Sequence, residues 1–197
     1  LAPVLTGEKK LTVIEYALQA ALAISDHNAR AHVLVTLAPM LSGEQTARCL
    51  GAALAIDDEV YRVHALAVLA PVLNGEQIEY ALQAALTLGD SYYREQALAA
   101  LAPVLSNGQI DRALQAALVI DDDEYFRPEA LTALAPRLSG KQIEYAFHAT
   151  SEIGNENHRA DVLRALAPKL SREQVEPALR TGFGLQFDDA RASILLA

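Results

Sequence analysis

The side chains able to do chemistry in this 197-residue chain are five histidines, one cysteine, seven tyrosines and 25 carboxylates. His32 and His64 occupy one repeating column, with Gln96, Glu129 and Asp161 below them, while His27, His148 and His158 stand in other columns. A zinc centre needs three or four convergent ligands, and helices packed about 8–10 Å apart do not bring two such imidazoles and a third donor to one point. The acidic runs Asp57-Asp58-Glu59, Asp121-Asp122-Asp123-Glu124 and Asp188-Asp189 lack both the ligand spacing and the turn glycine of a calcium loop. They read as helix starts, where a carboxylate faces the positive end of the helix dipole. No glycine-rich phosphate loop, nucleophile elbow or His-Glu-x-x-His is present, and no serine or tyrosine stands beside a base at a defined spacing. The pattern therefore predicts no catalytic residue, no metal and no cofactor.

Two other columns recur. Arg30, Arg62, Arg94, Arg127, Arg159 and Arg191 follow, by four residues, Asp26, Asp58, Asp90, Asp123, Asn155 and Phe187, the last with Asp188 beside it. An exposed Asp–Arg pair at i,i+4 contributes only about 0.3–0.5 kcal/mol, too little to account for six occurrences. A structural ladder fits better, bridging neighbouring repeats, with each arginine also bonding turn carbonyls. The second column reads Tyr16, Arg48, Tyr80, Arg112, Tyr145, and three residues on lie Gln19, Gly51, Gln83, Gln115, His148 and Arg180. Tyrosine and arginine are enriched at protein interfaces, and a stripe of them along a helical array suits an extended peptide. The competing reading packs each tyrosine between repeats with its hydroxyl in water. Because these positions vary from copy to copy while the Ala-Leu stripe beside them does not, Tyr16, Gln19, Arg48, Tyr80, Gln83, Arg112, Gln115, Tyr145 and His148 are the candidate partner-binding residues.

What positions these columns is a repeat. Leu-Ala-Pro recurs with its proline at Pro3, Pro39, Pro71, Pro103, Pro136 and Pro168, spaced by 36, 32, 32, 33 and 32 residues. A fixed period of this size marks a solenoid whose units bury their apolar faces only against neighbours. Two helices fit each period, a helix A after the proline and a helix B after it. Helix A opens on capping boxes, Ser42-x-x-Gln45, Ser106-x-x-Gln109, Ser139-x-x-Gln142 and Ser171-x-x-Gln174, with Asn74-x-x-Gln77 a variant. The cap side chain accepts the backbone N–H three residues on, and the glutamine reaches back. Leu73 with Ile78, Leu105 with Ile110, Leu138 with Ile143 and Leu170 with Val175 form hydrophobic staples, whereas Leu41 meets Thr46. The stripe of helix A is Ile78, Ala81, Leu82, Ala85, Leu86, Leu88 and their equivalents, at helical spacing.

Helix B opens near Asp58, Asp90 or Asp123 and presents Ala97, Leu98 and Leu101. It is expected to end at the alanine before proline, which loses a hydrogen bond and disfavours α at the preceding residue. Pro-x-Leu is then a tight turn, the alternative being a helix kinked at proline. The first copy has four extra residues near Gly7 to Leu11 and a second potential box at Thr12-x-x-Glu15. Pro128 fits a first helical turn and a late start. The last copy, with Pro177, Gly182 and Gly184, is expected to be the most irregular helix.

Composition sets the remaining bounds. The formal charge of −9 argues against a phosphate-backbone partner, which needs a basic face, and disfavours a membrane surface. Hydrophobic residues make up 52% of the chain, yet no run is long enough to cross a bilayer. Cys49 is the single cysteine, so there is no disulfide framework; it stands where Ala81 and Ala113 do and reads as a buried small residue. No initiator methionine, signal or targeting tail is visible. The expectation is one cytoplasmic helical-repeat domain over residues 1–197, cut from a longer protein.

The segment from Ala99 to Leu118 resembles a tetratricopeptide unit read from its first helix to its second, without that family's Trp-Leu-Gly-Tyr signature. The arginine after an aspartate near each helix B start is similar to HEAT repeats. The LAP-x-L-x-x-E-Q phrasing looks most like the repeat arrays joined to bacterial NACHT-type signalling NTPases, a resemblance that implies a sensor or autoinhibitory role. The fold expected is all-α: a right-handed α-solenoid of about six antiparallel helix pairs, period 32–33 residues. The function expected is a non-enzymatic scaffold for a protein or peptide partner, or for neighbouring domains of the same chain. The alternative is the sensor array of an NTPase whose catalytic domain lies elsewhere.

Overall fold

A computed structural model describes residues 8–41, 43–120 and 125–183. Among them the chain is entirely helical, with eleven α-helices and no strand. The helices are α1 (Glu8–Leu22), α2 (His27–Leu37), α3 (Glu44–Leu54), α4 (Glu59–Leu69), α5 (Gly75–Leu86), α6 (Ser91–Leu101), α7 (Asn107–Leu118), α8 (Phe126–Leu134), α9 (Lys141–Thr150), α10 (Glu156–Leu166) and α11 (Arg172–Phe183). Odd-numbered helices are the predicted A helices and even-numbered ones the B helices. Ser42, the Asp121–Glu124 run, Gly184, Asp188-Asp189, Arg191 and the first Leu-Ala-Pro lie outside the described residues.

The chain divides into two compact units, Leu1–Ala85 and Leu86–Ala197. In the first, α1 packs on α2 and α3, and α4 packs on α2 and α3. In the second, α8 packs on α6, α7 and α10, α9 packs on α7 and α10, and α10 carries α11. The stripes predicted at helical spacing form both cores. Cys49, Leu50, Ala53 and Ile56 are buried in the first unit, and Ile110, Ala113, Leu114, Ala117 and Ile120 in the second, where Ala97, Leu98 and Leu101 close the B side. Alanine at every third or fourth position lets helices approach closely, while each leucine fills the groove opposite. Leu86, expected in the stripe, is only half-buried.

Every described B helix runs directly into a 3-10 turn, at Ala38–Met40, Ala70–Val72, Ala102–Val104, Ala135–Arg137 and Ala167–Lys169. The predicted tight turn is present, but the alanine before each proline stays in the α region, at φ −44 and ψ −48 for Ala38. The preference against α before proline is overridden because these alanines are buried, Ala38 and Ala135 fully, and a small side chain tolerates the ring. In the second unit the residue after proline ties successive turns together. Arg137 donates to the carbonyls of Pro103 and Leu105, both at 2.7 Å, and Lys169 Nζ to that of Leu138 at 3.2 Å.

Three local expectations are corrected. The extra residues of the first copy extend α1 from Glu8 rather than starting a second cap, so Thr12 and Glu15 lie inside a helix; Glu-Lys-Lys-Leu is strongly helix-forming. Gly140, at φ 50, and not Ser139, is the N-cap of α9, a backbone conformation glycine adopts without steric cost. The helix α11 continues through Pro177 to Phe183. One missing N–H is tolerated there because the following Ala178 is buried in a cluster with Ala160, Leu163 and Ala167. As expected of acids at the B-helix starts, Asp26, Asp58 and Asp90 are caps, accepting the backbone N–H of Ala29, Val60 and Tyr92 at 2.7, 2.9 and 2.8 Å. Pro128 does fall in the first turn of the late-starting α8.

Candidate functional site

The arginine column is a clasp on the turn between each A helix and its B helix. Arg30 Nε donates to the carbonyl of Ile24 at 2.8 Å, Arg62 Nε to Ile56 at 2.9 Å and Arg94 Nη2 to Leu88 at 2.7 Å. Arg127 Nη2 donates to Ile120 at 2.9 Å and Arg159 Nη1 to Ile153 at 2.8 Å. The recipient residue is itself buried in each of the last four cases, so the guanidinium satisfies a carbonyl that water reaches poorly. The expected turn-carbonyl half of the ladder is thus present. Toward a neighbouring repeat, Arg127 Nη1 stands 3.8 Å from Glu152 Oε2.

The capping glutamines do more than cap. Gln77 Oε1 accepts the Asn74 N–H at 2.9 Å while Gln77 N donates to Asn74 Oδ1 at 3.0 Å, the full reciprocal box. Ser106, Ser139 and Ser171 each give their backbone N–H to the glutamine three residues on, at 2.9 Å. The amide nitrogen at the other end is then free to reach sideways. Gln45 Nε2 bonds Glu15 Oε2 at 3.2 Å, Gln77 Nε2 the carbonyl of Gly43 at 3.5 Å, and Gln142 Nε2 bonds Asp111 Oδ1 at 2.5 Å. Gln77 and Gln142 thereby each start an A helix and bond the preceding one.

Of the predicted partner-binding residues, Tyr16, Tyr80 and Tyr145 are 67%, 59% and 57% exposed. Gln19, Gln83, Gln115 and His148 are exposed as well, and Arg48 and Arg112 are half-buried. In the first unit Arg48 and Gln19 converge on Glu15, which the sequence reading placed only as a capping acid. Glu15 accepts from Arg48 Nη1 at 2.5 Å, from Gln19 Nε2 at 3.1 Å and from Gln45. The Arg48 bond first, then the Gln45 amide, hold the Glu15 carboxyl below the usual carboxylate range. The signal was the acid immediately before each tyrosine or arginine: Glu15, Glu79, Asp111 and Glu144, with Ala47 the exception.

That exception shapes the surface. Where α3 carries Ala47 and Gly51, a groove of about 510 Å³ opens between α3 and α5, floored by Ala47, Leu50, Gly51 and Leu54 and walled by Tyr80. In the second unit a groove of about 430 Å³ is lined by Arg112, Gln115, Ala116 and Val119 with Leu86 and Arg94. An aromatic edge at the B-helix starts was also missed. Tyr92 stands edge-on to Tyr93 and Phe126, with centroids 5.1 and 5.6 Å apart, and Tyr125 to His158 at 5.1 Å. Its sequence signal is the aromatic doublet at Tyr92-Tyr93 and Tyr125-Phe126.

Among the described residues no three His, Cys, Asp or Glu side chains converge as metal ligands, and His32 and His64 meet edge to face with centroids 6.3 Å apart. Burial pushes the Cys49 thiol up to about 11, so it stays protonated and unreactive at neutral pH. Among the described residues no helix is long and apolar enough to cross a membrane. No family model matches the chain, and neither the curated proteins nor the solved structures contain a match to it.

Proposed function

We propose that this chain is a non-enzymatic α-solenoid whose A-helix face binds a protein or peptide partner. The observation that carries the reading is the exposure of Tyr16, Tyr80 and Tyr145 at one repeating position, on helices whose opposite stripe is committed to the core. A tyrosine gives up few rotameric degrees of freedom on binding and offers both a ring and a hydroxyl, so a column of them favours interaction over a solvated surface. The proposed architecture is a right-handed stack of antiparallel helix pairs in which A helices follow A helices. The sideways glutamine bonds and the A-on-A and B-on-B packing within each unit support it. Joined to an NTPase, as the resemblance to NACHT-linked arrays implies, the same face would act as a sensor; a P-loop upstream in the gene would mark that arrangement.

The test is selection of displayed random peptides on the immobilised chain, followed by solution titration of the enriched sequences. Saturable binding, lost when Tyr16, Tyr80 and Tyr145 are replaced by alanine in a chain of unchanged helicity, is the expected result. Enrichment of sequences that bind the triple variant equally well would remove the A-helix face from the account.

A further inference from the structure

The groove between α3 and α5 exists because α3 breaks the chain's own pattern twice on one face. At the position of Glu15, Glu79, Asp111 and Glu144 it carries Ala47, and at that of Gln19, Gln83, Gln115 and His148 it carries Gly51. The two lie four residues apart, one above the other on the helix. A Cβ built on Gly51 meets nothing within 4 Å, so the glycine is not demanded by packing. A glycine in a helix interior is unfavourable relative to glutamine, and here it leaves open space beside the Tyr80 ring. The volume of about 510 Å³ falls in the range of ligand sites. Its apolar floor also includes Leu54, and at one end of the groove stand Glu44 and Glu76, in the first turns of α3 and α5. Among the described residues no arginine, lysine or histidine lines it.

Resting on the binding-module reading, we infer that this groove takes a peptide segment with an aliphatic side chain seated over Gly51 against Tyr80 and a lysine or arginine at Glu44 and Glu76. Seven residues of helix separate Glu44 from Gly51, a rise of about 10 Å, which an extended chain covers in about three residues. The recognised pattern is therefore basic-x-x-aliphatic. Charge selects the occupant: two acids at the rim and a chain charge of −9 attract a cationic segment and repel an acidic one.

The test is a titration of the full chain, labelled for amide NMR, with a Lys-Lys-Ser-Ser-Leu-Ser peptide. Expected are shifts centred on Ala47, Gly51 and Tyr80, and a dissociation constant that rises with salt. It should rise at least tenfold when the peptide leucine becomes alanine or when Gly51→Gln fills the groove. Gly51→Gln improves helix propensity, so loss of binding in it is not loss of folding. Unchanged affinity in Gly51→Gln, or equal binding of a Glu-Glu-Ser-Ser-Leu-Ser peptide, overturns the inference. So do groove shifts that grow with protein concentration alone, which would make the occupant a second copy. Peptide shifts confined to the other A helices would reject this groove and keep the binding module; no saturable shift from basic, neutral or acidic peptides would reject both.

Discussion

Arg48 in α3 bonds the carboxylate of Glu15 in α1 at 2.5 Å, joining two A helices through side chains 33 residues apart. Glu15 is held below its ordinary range by that bond and by Gln45. A depressed carboxyl contributes stability that is present above its unfolded value and is lost as pH falls through the folded one. A double-mutant cycle of Glu15→Gln and Arg48→Met should show coupling at pH 7 that disappears once pH passes below the carboxylate range. Coupling that persists in acid would mean packing, and not charge, joins the two helices.

The clasp arginines predict a different loss. Arg94 donates to the carbonyls of both Leu88 and Gly89, so Arg94→Ala should destabilise by about 1–3 kcal/mol in denaturant unfolding. Lysine should restore little, since it lacks the planar fork. A loss below about 0.5 kcal/mol, the scale of an exposed pair, together with lost partner binding, would move the column from scaffold to site.

Thr46 stands where the other copies carry the staple residue, and it is 1% exposed with a hydroxyl that has no hydrogen-bond partner among the described residues. A buried unsatisfied hydroxyl is costly. Thr46→Val keeps the shape and should stabilise the chain by about 1 kcal/mol, read as a higher denaturation midpoint at constant slope. A destabilised variant would show that the hydroxyl is satisfied in solution.

Glu95 in α6 is 5% exposed. Burial raises its pKa, the Gln96 amide works against that, and the neighbouring Glu129 raises it further. The folded state then holds the proton more tightly than the unfolded one, so stability is greatest with Glu95 protonated and falls as pH rises through its folded pKa. Glu95→Gln should remove that slope and stabilise the chain at pH 7 by about 1 kcal/mol. An unchanged pH profile would place the carboxylate in water.

The alternation and order of the helices were legible from Leu-Ala-Pro, from the capping glutamines and from the alanine–leucine stripe, because each is a local preference repeated. Sideways relations were not. That Gln45 and Arg48 reach Glu15 depends on how far one A helix is offset from the next, which no single helix encodes. For the tyrosine column the sequence left two readings open, an interface stripe and rings packed between repeats, because its place opposite the stripe does not decide how far each ring leans on its neighbour. The α3–α5 groove is not legible in the sequence, because it is made by the side chains that Ala47 and Gly51 lack rather than by any residue present.

The most direct test of the A-helix face is hydroxyl-radical footprinting of the tyrosines with and without a peptide selected by display. Tyr16, Tyr80 and Tyr145 report on the A helices, and Tyr92 and Tyr125, 45% and 49% exposed, on the B-helix starts. The account predicts that bound peptide protects at least Tyr80 and leaves Tyr92 and Tyr125 as reactive as before. Protection of Tyr92 and Tyr125 with all three A-helix tyrosines unchanged would contradict it.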